Sequence, residues 1–379
     1  MPTEFKTPGQ LIQALLDERG WSKRVLAVVL GASETGINKI INGKQPLTAD
    51  MALSLKDVFG IPAERFLELQ KHLELEQAKL FAMEDSGLAV RAKLFGAIPV
   101  DEIIKRGWMP GVADIRDFQR VETGLMKFFK ASSLDQIEVF PHSAKKTNVS
   151  EPATPIQIAW LYRVKEIASE MLVPRYSPSA VMAAIPKLRE LLVSHAAIRK
   201  VPRILQDCGV RYVIVEKLPG AKIDGVCFWL DDQSPVIGMS IQYDRIDNFW
   251  FVLRHELEHV IQGHGKNAMM IDADLHGEGA GTGESIAEEE KVANAAASDF
   301  CTPKKSIESF IARKAPLFKE RDLIGFANTL AIHPGVVVGQ LQRKTGHYEL
   351  FRSHLVKVRS IIATEAMIDG WGTVAPVGL

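Results

Sequence analysis

The most informative part of the sequence is DNFWFVLRHELEHVIQG, residues 247–263, which has apolar side chains at helical spacing and ends at a glycine. His255 and His259 are four residues apart, so their imidazoles lie one turn apart on one face of a helix, where both can reach a single zinc ion. Glu256 follows the first histidine, where its carboxylate can hold and deprotonate a zinc-bound water. The stretch therefore predicts an H-E-x-x-H metal site on a helix.

The alternative interpretation is a surface helix that carries two histidines and two glutamates without a metal. The apolar residues Phe249, Val252, Leu257 and Val260 argue against it, because they bury the helix, and a buried helix does not carry such polar groups without partners. Glu258 points about 100° away from either histidine around the helix axis, so we expect it to face solvent.

A catalytic zinc site needs a third protein ligand and one position open to water. The next predicted helix, residues 285–300, contains Glu288, Glu289 and Glu290 in succession. Its apolar stripe, extended backward at helical spacing, takes in positions 289 and 290 and leaves out 288, so periodicity leaves two candidates. His264 is five residues after His259, about 140° round the helix, and is expected to end the helix instead.

Three short β-branched and aromatic runs precede the metal motif: RYVIVEKLPG (211–220), DGVCFWL (224–230) and SPVIGMSI (234–241). Gly, Pro and Asp separate them, which predicts a small β-sheet. Helical patterns dominate the remaining sequence, and the predicted fold class is α+β, mostly α. We expect an all-α N-terminal domain, a zincin-like domain with a small sheet and the H-E-x-x-H helix, and C-terminal helices.

Residues 8–80 form five short helical patterns, each opened by a capping residue and ended by Gly or Pro. The second begins after Ser22 and the third after Ser33, with a turn at Gly31 between them. This length and turn are those of a helix-turn-helix. Ile37, Ile40 and Ile41 of the third helix are expected to face the core.

The metal motif also carries a family resemblance. HELEHVIQGH (255–264), followed by EKVAN (290–294) and a Thr-Pro pair ending at Pro303, resembles the ImmA/IrrE family of zinc metallopeptidases, in which an HExxH helix precedes a helix with an E-x-x-A-N motif. The resemblance implies a gluzincin-like site with His255, His259 and Glu290 as the Zn2+ ligands and Asn294 orienting the Glu290 carboxylate. The helix of that family usually reads HELGH, and Glu258 stands in place of its glycine.

A second resemblance covers the N-terminal residues. INGKQPLTADMALSLKDVFG (41–60) resembles Xre-type helix-turn-helix domains and HigA-like antitoxins, and FANTLAIHPGVVVGQLQ (326–342) resembles the ImmA/IrrE proteins that carry such a domain. The resemblance implies that the outer face of the third helix, Glu34, Thr35, Asn38 and Lys39, enters the major groove of DNA, with Asn38 suited to an adenine edge. Ser33 and Lys44 are placed for phosphates.

Charge and composition set limits on this interpretation. The 379 residues contain 46 Lys and Arg and 46 Asp and Glu, so any surface for DNA or acidic membranes has to be local. Residues 1–80 are also neutral, with ten basic and ten acidic side chains. Three separated cysteines and the absence of a long apolar run predict a cytoplasmic protein without a disulfide framework or membrane segment.

The sequence divides into four predicted parts. They are a helix-turn-helix domain (1–80), a helical connector (81–154) with an exposed linker at 138–155, a metallopeptidase domain (155–303) and a helical C-terminal region (304–379).

Two functions fit this organisation. The first is a DNA-associated transcriptional regulator, expected to be a homodimer on a double-stranded DNA operator, whose zinc endopeptidase domain cleaves a repressor or partner protein. The second is a non-proteolytic HigA-like antitoxin or autorepressor, whose zinc domain is a sensor or binds a cognate toxin. Glu256 favours the first, because a purely structural zinc site needs no base beside its ligand.

Overall fold

The computed structural model describes residues 5–81, 88–137, 144–146, 153–266, 269–272, 288–362 and 367–369. The chain divides into two units, Met1–Leu88 and Ala89–Leu379. The boundary predicted at residue 80 lies near this division, and the boundaries predicted at 154 and 303 lie inside the second unit, where residues 94–137 and 304–362 share its cores. The four-part division stays a prediction.

The described part of the first unit is helical, as its capping residues predicted. The hydroxyl groups of Thr7, Ser22, Ser33 and Thr48 each accept a backbone N–H in the first turn of the helix that follows. The helices are α1 (Pro8–Arg19), α2 (Lys23–Val29), α3 (Glu34–Ile41), α4 (Ala49–Phe59) and α5 (Ala63–Phe81). Their apolar faces bury one common core that includes Leu16, Leu26 and Phe66.

The rest of the described chain is also mostly helical, and its helices surround one sheet. They are α6 (Leu88–Ala97), α7 (Val100–Lys105), α8 (Phe118–Phe128), α9 (Leu134–Ile137), α10 (Pro155–Glu170), α11 (Pro178–Glu190), α12 (Val201–Asp207), α13 (Ile246–Gln262), α14 (Glu288–Cys301), α15 (Lys304–Lys314), α16 (Glu320–Leu330), α17 (Pro334–Thr345) and α18 (Arg359–Ile362). The fold is therefore α+β and mostly α, as predicted.

The sheet has six strands: β1 (Ala144–Lys146), β2 (Arg211–Val215), β3 (Gly225–Trp229), β4 (Pro235–Met239), β5 (Met269–Asp272) and β6 (Met367–Asp369). Their order is β1-β5-β3-β4-β2-β6. The three predicted runs form β2, β3 and β4 in its centre. Strand β3 pairs antiparallel with β4 and β5, whereas β2 runs parallel to β4 and β6, and β1 runs parallel to β5.

Two sequence predictions about loops were wrong in part. Residues 144–146 lie in the predicted exposed linker and form β1. Residues 269–272 lie in GHGKNAMMIDADLHGEGAGTG (263–283), whose Gly-rich composition predicts a loop, and form β5. Each is only three or four residues long and is held by pairing with a strand that is distant in sequence, so no local periodicity marks it. Residues 138–143 and 147–152 of the predicted linker lie outside the described residues.

The sheet is buried on both faces, which places the metal motif in the protein interior. Tyr212 and Ile214 of β2 belong to one core, whereas Val213 and Val215 belong to the other, because successive side chains of a strand point to opposite faces. Helix α10 and the apolar residues of 94–137 cover one face. Helix α13 packs on β3 and β4 from the other face, beneath α14 and α17.

None of the described helices is by itself long and apolar enough to cross a membrane; α16 and α17, bent by 114° at the break between them, pass such a test of length and composition only as a pair.

Candidate metal centre and DNA-binding face

Helix α13 carries the H-E-x-x-H motif through the middle of the second unit. All of its residues from Ile246 to Val260 are buried, because the helix lies between the sheet on one side and α14 and α17 on the other. It ends at Gly263, which takes a left-handed conformation (φ 71°) and donates its N–H to the carbonyl oxygens of His259 and Val260. The helix and its end agree with the sequence prediction.

The side chains of His255, His259 and Glu290 meet between α13 and α14. The two Nε2 atoms are 3.0 Å apart, and the Glu290 carboxylate oxygens lie 3.3 Å from Nε2 of His255 and 3.1 Å from Nε2 of His259. All three side chains are completely buried. Three donor atoms from two helices therefore point at one small volume in the protein interior.

These distances fit the donor set of a metal ion. Tetrahedral zinc with ligands at about 2.0–2.1 Å separates neighbouring donor atoms by about 3.3 Å, and the distances in the structure are close to this value. Two imidazole nitrogens and one carboxylate are also the ligand types of open zinc sites. Among the described residues, His255, His259 and Glu290 form a group that could hold a metal ion.

The three consecutive glutamates of α14 lie in different surroundings. Glu288 is exposed and forms an ion pair with Lys291 at 3.1 Å, and Glu289 is exposed with its carboxylate 3.9 Å from Nε2 of His264. Only Glu290 is buried and directed at both histidines of the motif. The structure thus distinguishes between the two positions that helical periodicity left open.

Glu256 is completely buried beside the first residue of strand β3. A Cβ atom on Gly225, the first residue of β3, would overlap the Glu256 carboxylate. The strand therefore needs a residue without a side chain at this point for Glu256 to keep its position. In the sequence, Gly225 lies in the predicted strand run DGVCFWL, and no local pattern connects it with Glu256.

The expectation that Glu258 faces solvent was wrong. Glu258 is 8% exposed and accepts hydrogen bonds from Arg254 and Gln262, both at 2.7 Å. Burial acts to raise its pKa, but the hydrogen bonds from Gln262 and Arg254 and the Arg254 charge outweigh burial and lower it. Helix geometry gave the direction of the side chain correctly, but the surroundings of that side of α13 depend on the tertiary packing.

His264 contributes to the site although it lies beyond the helix. The left-handed turn at Gly263 brings its ring back, so that its Nδ1 lies 3.0 Å from Nδ1 of His259, the ring nitrogen that faces away from Glu290. Its carbonyl oxygen accepts the Trp229 indole N–H at 2.8 Å. Burial lowers the pKa of His264, which favours the neutral ring, and a neutral ring can accept a hydrogen bond from the Nδ1–H group of His259. The glycine after the helix is the sequence signal for this contact.

Asn294, one turn after Glu290, is half-buried on α14. Its Oδ1 atom is buried and has no hydrogen-bond partner among the described residues. Its role in orienting Glu290 stays a prediction.

Helices α2 and α3 of the first unit have the geometry of a helix-turn-helix. Four residues, 30–33, connect them, with Gly31 in a left-handed conformation (φ 62°). Ile37 and Ile40 are buried, which leaves the opposite face of α3 exposed. The exposed side chains are Glu34, Thr35, Asn38 and Lys39, and Lys44 after the helix is exposed as well.

Comparison with known proteins agrees with this geometry. A helix-turn-helix family model matches residues 12–66. The uncharacterized HTH-type transcriptional regulator YddM of Escherichia coli (strain K12) is 33% identical over 72 residues, which are 19% of this chain and 77% of that protein. The chain belongs to the helix-turn-helix transcriptional regulators.

The N-terminal unit of this regulator is therefore a DNA-binding domain of the Xre type. Its predicted base-reading residue, Asn38, already has partners within the protein: Oδ1 accepts hydrogen bonds from Lys23 and Asn42, both at 3.0 Å. Ser33 accepts the Gly36 N–H as the cap of α3. The structure thus places the predicted DNA contacts, Ser33, Thr35, Asn38, Lys39 and Lys44, on the outer face of α3 or close to its ends. Each individual contact stays a prediction.

Proposed function

We propose that this regulator combines its DNA-binding domain with a zinc-dependent endopeptidase site in the second unit, of the kind found in the ImmA/IrrE family. The observation that carries the proposal is the group of His255, His259 and Glu290, with its donor atoms 3.0–3.3 Å apart and Glu256 next to the first ligand. A structural zinc site would need no carboxylate at position 256.

The side chains suggest a division of tasks. His255, His259 and Glu290 would hold the metal, and Asn294 and His264 would orient two of these ligands. Zinc, when bound, supplies a Lewis acid for the peptide carbonyl. Glu256, as a carboxylate, would take a proton from the attacking water and pass it to the leaving amine. Its contact with Gly225 fixes where this proton transfer takes place.

The combination of the two units supports a proposal for the class of substrate. A DNA-binding domain keeps the peptidase on an operator, so we propose that the substrate is a repressor or another protein that acts at the same DNA. We also propose that the regulator acts as a homodimer, because one helix-turn-helix contacts only a few base pairs and two copies double the contacts.

The decisive experiment is a comparison of Glu256→Gln with the wild-type protein. The substitution keeps the size of the side chain but cannot take a proton, so we expect zinc content and melting temperature to stay the same while cleavage of proteins encoded by neighbouring genes is lost. Glu289→Gln, an exposed glutamate near the site, is the matched control and should retain full cleavage. Loss of zinc in Glu256→Gln would contradict its assignment as a base.

A second function is favoured by one observation. His255, Glu256, His259 and Glu290 are all completely buried, so a substrate peptide could reach them only after neighbouring residues move. A HigA-like antitoxin or autorepressor, with zinc as a sensor or as part of a toxin-binding domain, needs no such movement. Full biological activity of Glu256→Gln, together with retained zinc, would decide for this second function.

A further inference from the structure

A groove lies between α15 and α16, outside the residues of the metal site. It has a volume of about 810 Å3. This size is in the range of small-molecule sites, which often lie between helices. All of its lining residues come from 305–330, and none is a proposed zinc ligand or DNA contact.

The lining is strongly basic. It contains Lys305, Arg313, Lys314 and Arg321, but only one acidic residue, Asp322. Lys314 forms an ion pair with Asp322 at 2.9 Å. The other three cations are exposed and have no ion-pair partner among the described residues. Hydroxyl groups of Ser306, Ser309 and Thr329 lie on the same walls.

The groove also has an apolar side and an open centre. The rings of Phe310 and Phe326 are stacked, with centroids 4.5 Å apart and planes 15° apart. Gly325 lies in the lining, and a Cβ atom added to it would meet no atom within 4 Å. Helix α16 therefore leaves space where most helical residues would have a side chain.

We propose that this groove binds a phosphorylated small molecule. Guanidinium groups bind phosphate oxygens through paired N–H donors, and three cations without an ion-pair partner among the described residues favour a ligand with several negative charges. Arg313 donates its Nε–H to the Ser309 carbonyl oxygen at 3.1 Å, which leaves its terminal N–H groups for the ligand. The hydroxyl groups of Ser306 and Ser309 can donate to the same oxygens, whereas that of Thr329 donates to the Gly325 carbonyl oxygen at 2.9 Å. The phenylalanine wall can contact an apolar or aromatic part of the ligand. The cations line a concave site on two helices, which suits a compact ligand better than the backbone of a DNA duplex.

The test is isothermal titration of the full-length protein with sodium tripolyphosphate, ATP and adenosine. We expect tripolyphosphate and ATP to bind with dissociation constants below about 1 mM, and adenosine not to bind. Arg313→Gln combined with Arg321→Gln should weaken both anions at least tenfold. Gly325→Leu should do the same without a change in charge, because it fills the groove. Zinc content is measured before and after, since tripolyphosphate chelates metal ions.

Two variants provide matched controls. Arg199→Gln removes an exposed cation outside the groove, and Gly96→Leu adds a side chain to an exposed helical glycine with open space around it. Both should bind like the wild type. The proposal is wrong if the wild-type protein binds neither tripolyphosphate nor ATP, or if the groove variants bind both anions as tightly as the wild type. It is also wrong if the groove variants lose affinity for duplex DNA and no form of the protein binds ATP, because the groove would then be a DNA contact.

Discussion

At the scale of single residues, the candidate metal site depends on one carboxylate out of three. Glu290 lies within 3.3 Å of both histidines, while its neighbours Glu288 and Glu289 are exposed. Consecutive residues of a helix point about 100° apart, so only one of them can reach a given point.

Removal of Glu290 should therefore remove the metal. We predict that Glu290→Ala lowers zinc affinity by more than about 100-fold, because loss of a direct ligand exceeds the 10- to 100-fold effects of outer-shell residues. Glu289→Ala should retain one zinc per chain. Metal analysis after dialysis against a chelator measures both. Equal zinc loss in the two variants would place the third ligand elsewhere.

A second residue-scale prediction concerns pH. The Nδ1 atom of His333 accepts the Gly335 N–H at 3.0 Å and so caps α17. Burial, together with His195 and His354, lowers the pKa of His333. In the unfolded chain this histidine takes up a proton below about pH 6.5, whereas in the folded protein it does so only at lower pH. The contribution of neutral His333 to the free energy of unfolding is therefore present above about pH 6.5 and is lost as the pH falls below it.

His333→Asn keeps a capping acceptor without this titration. Urea unfolding at pH 5 to 8 should show a smaller loss of stability at low pH for this variant than for the wild type. His333→Ala should cost about 1 kcal/mol at pH 8, where the wild-type cap is intact. The same pH dependence in His333→Asn and wild type would show that the cap is not the titrating group.

At the scale of elements, strand β3 and helix α13 approach each other closely at one contact, and each limits the side chain that the other can carry there. Gly225 begins the strand, and Glu256 fills the space that a side chain there would need. Both residues are buried, so neither can move into solvent.

We predict that Gly225→Ala destabilises the second unit by about 1–3 kcal/mol, as overpacking of a core does. Zinc content should stay the same, because Glu256 is not a proposed ligand, but any peptidase activity should fall. Gly96→Ala is the control: it adds a methyl group to an exposed helix in open space and should stabilise slightly. Denaturant unfolding and zinc analysis measure the two effects. Unchanged stability of Gly225→Ala would mean that Glu256 moves aside freely.

At the scale of the whole molecule, the protein has two units and a formal charge of zero. The DNA-binding unit cannot rely on a large basic surface, since residues 1–80 have equal numbers of basic and acidic side chains. Its affinity is therefore expected to come from a few placed contacts and, if the proposed homodimer forms, from two copies on two half-sites.

We predict that Asn38→Ala relaxes the preference for one base pair per half-site, at a cost of roughly 1–3 kcal/mol. Lys44→Ala should weaken all sequences alike and reduce the salt dependence. Anisotropy titrations of the upstream region of its own gene, at several salt concentrations, separate the two effects. Absence of binding at low salt, or a footprint without half-site symmetry, would contradict the operator-binding dimer.

The sequence alone determined the features that depend on neighbours within one or two helical turns. Capping residues and apolar spacing predicted α1 to α5 and the turn at Gly31, and the spacing of His255 and His259 placed both on one face of α13. These interactions join residues three or four positions apart, so they are present in the sequence itself.

The tertiary structure decided everything that depends on residues far apart in the chain. It paired β5 with β3, buried the side of α13 that carries Glu258, and turned Glu290, but not Glu289, toward the histidines. Helical periodicity gives the direction of a side chain but not what lies there. Whether that direction leads to solvent, a strand or a metal ligand is settled only when distant segments pack together.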